Sequence, residues 1–443
     1  MGIDNSIQVR SPDRRARPRR LRSLARALFV WLAATSYAVA QDEVVFSGWS
    51  GEEPEARPII MEMIERFNEQ DASRNVTWVG WPWAQLQQNL VLRVRSNDAP
   101  HIAQIPDNTL ATYAQLDALI DLNAVFGAST IADHVHPGLL GVGQYGGRQL
   151  GIPWVTGSIS MVANSKVLGD SGIDAVPTTI DAFVDALRAI KEADPSSVPY
   201  GLSTQGAALI ASDFQVWLWT FGGSIFDDDG NVVIDSPEAR EALQFVVDLV
   251  AEGLAAPEMD RPTARTLFAQ HRMGFYFDAP AARGTARVNS AEGIGFDEYI
   301  SPVATPVISE GDRSYSIAWG HLLVMFKDAN PDLSTESQAA QFLAHLVFDP
   351  EMPIAYFESR SQLPSNTAAI QSAAVQGDPF AAEWLSLASS TAKTDELSRW
   401  PNRSAMVEVV GEEVQAAMLG QKAPERALAD AARRLEALVA QVR

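Results

Sequence analysis

The chain has 443 residues, 47% of them hydrophobic and 20% charged, a globular balance that excludes a disordered polypeptide and leaves room for more than one domain. The net charge is −21, but residues 1–40 hold eight Arg against Asp4 and Asp13, so −21 less +6 leaves about −27 on the remainder. A body this acidic argues against nucleic acid and anionic membrane surfaces as partners, and without a single Cys it has neither a disulfide nor a thiol for an N-terminal lipid.

The chain opens with a basic stretch from Arg14 to Arg26. Ala27 to Ala34 follows, apolar but too short to span a bilayer, and Ala38-Val39-Ala40 places small residues where a signal peptidase reads. Residues 1–40 are therefore expected to be a signal peptide cleaved before Gln41, with Arg19-Arg20 leaving the export route open. A soluble product without a lipid anchor is expected to be retained in a periplasm.

An α/β alternation comes next. Glu43 to Ser47, Val76 to Val79 and His101 to Ile105 read as strands. Ile59, Ile60, Met63, Ile64 and Phe67 recur at helical spacing after the first strand, and Leu86, Leu90 and Val94 after the second. A helix ending near Ala118 follows the third. This order predicts a parallel sheet covered by helices on both faces. Tyr145-Gly146-Gly147-Arg148 reads as a hairpin turn and Ile159 to Asn164 as a strand. Thr178 with Asp181 predicts a capped helix, and Ser236-Pro237 another. Phe275 to Phe277 and Leu322 to Phe326 read as strands, Ala339 to Val347 as a buried helix. Ala405 to Leu419 and Pro424 to Val442 read as the last two helices.

Several segments together resemble the extracellular solute-binding proteins of sugar importers, the family that includes the maltose-binding proteins. Asn97-Asp98-Ala99-Pro100-His101-Ile102 is similar to its Gly-x-x-Pro-Asp-Val step, with His101 in place of Asp. Tyr145 to Pro153 followed by Ala163-Asn164-Ser165-Lys166 is similar to its Gly-x-Pro to Tyr-Asn-Lys segment, with Ala163 in place of Tyr. Trp219 to Asp227, running into Asp235-Ser236-Pro237-Glu238-Ala239, resembles its Gly-Gly turn, and Leu419 to Leu428 its C-terminal helix signature. The resemblance covers residues 43–443 loosely. It implies an α/β fold of two lobes, each a mostly parallel sheet flanked by helices, joined by a hinge crossed three times. By analogy the crossings fall near Gly151 to Pro153, Pro302 to Pro306 and Leu363 to Ser365. One lobe would be 41–151 with 307–363, the other 152–306 with 364–443.

The resemblance also implies a carbohydrate held between the lobes of a monomer, without a cofactor, and delivered to ABC permease subunits served by a separate ATPase. A sugar presents hydroxyls and flat C–H patches, so its site needs aromatic faces beside side chains that pair with hydroxyls. Candidates lie after predicted strands or near the hinge: Trp49, Ser50, Trp81, Trp83, Asp107, Trp154, Asp278, Trp319 and Arg360. The bland readings are that each Trp is core and that Asp278 and Arg360 pair with other protein charges. Trp78, Trp217 and Trp384 read as structural. His134 and His136 lack a spaced third metal ligand, and Asp227-Asp228-Asp229-Gly230 fails EF-hand spacing, so surface histidines and a turn are expected. Other readings stay open: a binder of glycerol-3-phosphate or a polyamine on the same fold, or a hydrolase using two carboxylates.

Overall fold

Alternating strands and helices build the first part of the computed structural model, which describes residues 43–442; the expected signal peptide and its cleavage point lie outside them. Strands β1 (Val44–Gly48), β2 (Val76–Gly80) and β3 (Ile102–Pro106) pair in parallel in the order β2-β1-β3. Parallel neighbours need a crossover between them. Here the crossovers are the Arg57–Glu69 and Trp83–Arg95 helices, which bury the predicted residues Ile59, Ile60, Met63, Ile64 and Phe67, and Leu86, Leu90 and Val94.

The next two strands, β4 (Gln144–Tyr145) and β5 (Arg148–Gln149), form the predicted hairpin. Gly146 and Gly147 carry φ values of 58° and 75° at its tip, where a side chain would be strained. Strand β6 (Ile152–Asn164) is 13 residues long. It is followed by β7 (Tyr200–Gly201), β8 (Phe275–Asp278), β9 (Ile300–Val303), β10 (Ser316–Met325), β11 (Leu363–Pro364) and β12 (Ala392–Lys393). The main sheet runs β2-β1-β3-β10-β6-β8-β7. It is mixed: β10 lies antiparallel to β3 and β6, and β6 lies antiparallel to β8 and β9.

The apolar interior divides in two. One body of core gathers Phe46, Ile60, Phe67, Ile102, Trp154, Leu323, Phe342 and Tyr356, with Leu90, Ile105, Tyr113 and Leu322 beside it. The other gathers Phe183, Tyr200, Trp217, Phe275, Val410 and Leu435, flanked by Phe268, Tyr276, Phe296, Phe380 and Trp384. Two strands feed both. Along β6, Ile152, Trp154 and Val155 enter the first core and Met161 to Ala163 the second; along β10, Ile317 enters the second and Leu323 and Met325 the first. The molecule is thus two-lobed, with its lobes sharing a strand pair.

Local departures from expectation have local causes. The helix after β3 is Leu110–Gln115 and stops before Ala118, because Asp117 turns the chain at φ 50°. The helix expected to be capped by Thr178 is capped by Thr179, whose side chain accepts from Ala182 N–H, while the carbonyl of Thr178 accepts from Val307. Ser236 caps the Pro237–Ala251 helix as expected, and the final helices are Arg403–Met418 and Pro424–Val439. Among the described residues, no helix is long and apolar enough to cross a membrane.

Candidate functional site

The ends of β1 and β3 meet β10 where β6 leaves the first core. Alternation along β10 puts Trp319 and His321 on one face of the strand. The Trp319 and Trp49 rings each stand edge-on to the His321 imidazole at 4.4 Å. Trp154, 6.2 Å from the same imidazole, stacks on Tyr356 at 4.7 Å and 14°. Three of the predicted indoles therefore surround one histidine that was not predicted. Trp49 and Trp154 are buried and Trp319 is half-buried.

Beneath the rings lies a polar layer. Ser50 N–H donates to Gln104 Oε1 at 3.2 Å, which fixes the amide orientation. Gln104 Nε2 then lies 2.8 Å from both Ser50 Oγ and His321 Nδ1. An amide nitrogen only donates, so His321 Nδ1 accepts and the imidazole hydrogen sits on Nε2. Burial, and after it the charge of Arg360, pushes the His321 pKa well below its ordinary value, so the ring is neutral. Tyr356 donates to Ser50 Oγ at 3.2 Å, and burial raises its hydroxyl to about 12.

Arg360 lies one helical turn beyond Tyr356 and is 1% exposed. Its backbone packs against Gly284, where an added Cβ would come within 2.9 Å. Its Nη2 donates to Thr285 Oγ1 at 3.3 Å, and Glu53 stands 3.7 Å away. Glu53 also lies 3.5 Å from Arg265, which grips Asp278 through two bonds of 2.8 and 2.9 Å. Burial works against the charge on Asp278, but Arg265 and Arg261 hold its carboxyl below the usual range. The protein-paired reading of Asp278 and Arg360 thus describes what is seen. Arg360 nonetheless keeps Nε and Nη1 without partners, as do Trp154 Nε1 and His321 Nε2, and Gln362 Oε1 lacks a donor.

Asp107 flanks this cluster, with Oδ2 3.6 Å from where a Gly320 Cβ would stand. Protein around it removes solvent and raises its carboxyl to about 7, against the pull of the Asn108 N–H and Arg403. Asn108 Nδ2 reaches Asp395 at 3.5 Å, and Asp395 pairs with Arg403 at 2.7 Å. Trp81 joins the same edge only through its backbone, bonded to Gly48 O at 3.1 Å, while its ring packs near Arg93. Trp83 begins a helix and is 37% exposed, so the pair is not wholly loop as expected.

Gln104, His321, Tyr356, Glu53 and Arg265 were missed. Two had a usable signal: Trp319-x-His321 alternates along a strand, and Tyr356 precedes Arg360 by four residues in a helix. The other motifs are local. His134 bonds to Thr130 O and stacks on Phe348, His136 accepts from Gly138 N–H, and Asp227 closes a turn through Asn231. Trp217 and Trp384 are fully buried, and Trp78 is partly buried against the first core.

A model of the bacterial extracellular solute-binding protein family matches residues 50–352. The arabinooligosaccharide-binding protein of Halalkalibacterium halodurans is 24% identical over 47% of this chain and 46% of its own. The diacetylchitobiose binding protein DasA of Streptomyces coelicolor is 24% identical over 44% of this chain and 45% of its own. Across such curated relatives the match spans between 34% and 54% of their length. Among solved structures, maltose-bound MalE3 of T. maritima superposes with a TM-score of 0.78 at 23% identity, over 89% of this chain and 99% of that one. Maltotriose-bound MalE of Bdellovibrio bacteriovorus gives 0.76 at 16% identity, over 90% and 99%.

Proposed function

We propose, from the premise that the chain belongs to the bacterial extracellular solute-binding protein family, that it binds a mono- or oligosaccharide between its lobes and delivers it to the permease of an ABC importer. The ATPase subunits of that importer would be separate chains. The observation that carries the sugar reading is the joining of three indoles to Ser50, Gln104 and His321 in one cluster, with Arg360 one helical turn from the Tyr356 that stacks on Trp154. Stacking surface beside hydrogen-bonding groups is what a sugar's two kinds of face require. The names of the relatives, which bind arabinooligosaccharide, diacetylchitobiose and maltose, point the same way.

Trp49, Ser50, Trp154, Trp319 and Arg360 are the proposed floor of the site. Asp107, Asp278, Trp81 and Trp83 are its proposed rim. The lobes are proposed as 41–151 with 307–363 and 152–306 with 364–443, with a short exchange at their edges: Ile152, Trp154 and Val155 pack in the first core and Ile317 in the second. The protein would be exported to the periplasm with residues 1–40 removed and act there as a monomer. Binding without turnover is part of the proposal: Arg265 keeps Asp278 charged, which works against proton donation by that carboxylate.

Thermal melts with a panel of saccharides, followed by X-ray scattering with and without the stabilising sugar, test this. A sugar that raises Tm and compacts the protein is expected, because closure requires contacts made better in the closed form. Turnover of an oligosaccharide, or no stabilising sugar and no compaction, would overturn it.

A further inference from the structure

Donors outnumber acceptors among the unpartnered buried groups around the site, where Gln362 Oε1 is an acceptor without a donor. Four buried nitrogen atoms, Arg360 Nε and Nη1, Trp154 Nε1 and His321 Nε2, have no partner. Guanidinium and indole N–H groups only donate, and Gln104 fixes the imidazole tautomer so that His321 Nε2 donates too. The three residues, each 1% exposed, belong to one packed unit: Trp154 stacks on Tyr356, Tyr356 stands one turn from Arg360, and His321 lies 6.2 Å from Trp154. Buried donors left unpaired are costly, so such a set fits a partner that supplies acceptors.

A neutral sugar hydroxyl offers two acceptor positions, fewer than these donors can use, and its hydrogen would go to Gln362 Oε1. A carboxylate brings two oxygens with about four acceptor positions and no hydrogen. It also suits a guanidinium, in which Nε or Nη1 forms a parallel pair with the second N–H of Nη2, the first going to Thr285 Oγ1. Glu53 does not fill this role, since it stands 3.7 Å from Arg360 Nη2, beyond hydrogen-bond length. With 28% of its side chain exposed and Arg265 at 3.5 Å from its other oxygen, it keeps a partner when another anion approaches Arg360.

We propose that the saccharide carries a carboxylate, as a uronic acid unit does, and that Arg360, Trp154 and His321 read it. This rests on the sugar-binding function proposed above and narrows it to acidic saccharides. Calorimetry of the exported protein with glucuronate- and galacturonate-terminated disaccharides, their methyl esters and their neutral parents tests it. At least one acid is expected to bind about tenfold or more tightly than its ester, the difference a charged hydrogen bond supplies. Arg360→Gln should abolish that preference, so that acid, ester and neutral parent bind alike. Trp154→Phe, which keeps an aromatic face and removes the N–H, should lower it, and decides the matter if Arg360→Gln does not fold. Equal binding of acid, ester and neutral parent, or an acid preference untouched by both variants, overturns the inference and leaves the sugar reading standing. Inorganic phosphate or glycerol phosphate binding with no saccharide bound overturns both.

Discussion

Asp107 carries a consequence for pH that one substitution isolates. Its carboxyl titrates near 7 in the folded protein against an ordinary value of 3.8, because burial disfavours the charge. The unfolded chain therefore loses this proton first as pH rises, and the contribution of the group to stability falls between about pH 4 and pH 7. Asp107→Asn removes that decline. Relative to the parent it should gain about 1–3 kcal/mol between pH 5 and pH 8, read as a growing difference in Tm. A constant difference across that range would show that Asp107 ionises normally. Residues of this kind divide by how visible they are in sequence. Trp49, Ser50 and Asp107 stand just after apolar runs, and strand-end position alone nominated them. Gln104 and His321 lie inside strands, where only the register between β3 and β10 brings their side chains together. Glu53 and Arg265 meet across more than 200 residues of chain, a proximity no local pattern encodes.

At the scale of elements, periodicity was a good guide wherever one face is buried and a poor one where a turn decides. The Arg57–Glu69 and Trp83–Arg95 helices bury the positions their spacing predicts, whereas the stop after Gln115 depends on one residue in left-handed conformation. The length of β6 was underread, because Ile152-Pro153-Trp154 resembled a hinge rather than the start of a strand. Close packing between elements is also silent in sequence. Gly284, in the Ala281–Asn289 helix, lets Arg360 approach so closely that a Cβ would come within 2.9 Å of its backbone. Gly284→Ala should therefore destabilise despite a better helix former. Overpacking costs about 1–3 kcal/mol, and the gain in helix propensity is about 1 kcal/mol. A net loss of up to about 2 kcal/mol in denaturant titration is expected, and a gain would mean that the two helices yield easily.

Across the whole molecule, the two cores are bridged by side chains as well as by strands. Glu53 lies at the start of the first core and reaches Arg265, whose helix packs in the second. Asn108 and Thr112 reach Asp395 and Pro401 at 3.5 Å. Glu53→Gln weakens one bridge without changing its shape. A pair of this exposure contributes about 0.2–1 kcal/mol, so the balance of unliganded forms should move by a factor of about 1.4 to 5 toward the expanded one. Scattering should register a larger radius of gyration, and an unchanged radius would show that the pair does not restrain the lobes.

The two strands common to both interiors, β6 and β10, pair with each other from Ile152 and Leu323 to Ile159 and Ile317, with a register shift between His321 and Leu322. Any rotation of one half against the other must be taken up as bending and twisting of this ribbon, which behaves like a leaf spring rather than a loose swivel. Trp319 and His321 ride on that ribbon. The rings proposed to meet the guest would then lie on the part that gives way, and a guest that alters their packing would act on the spring directly.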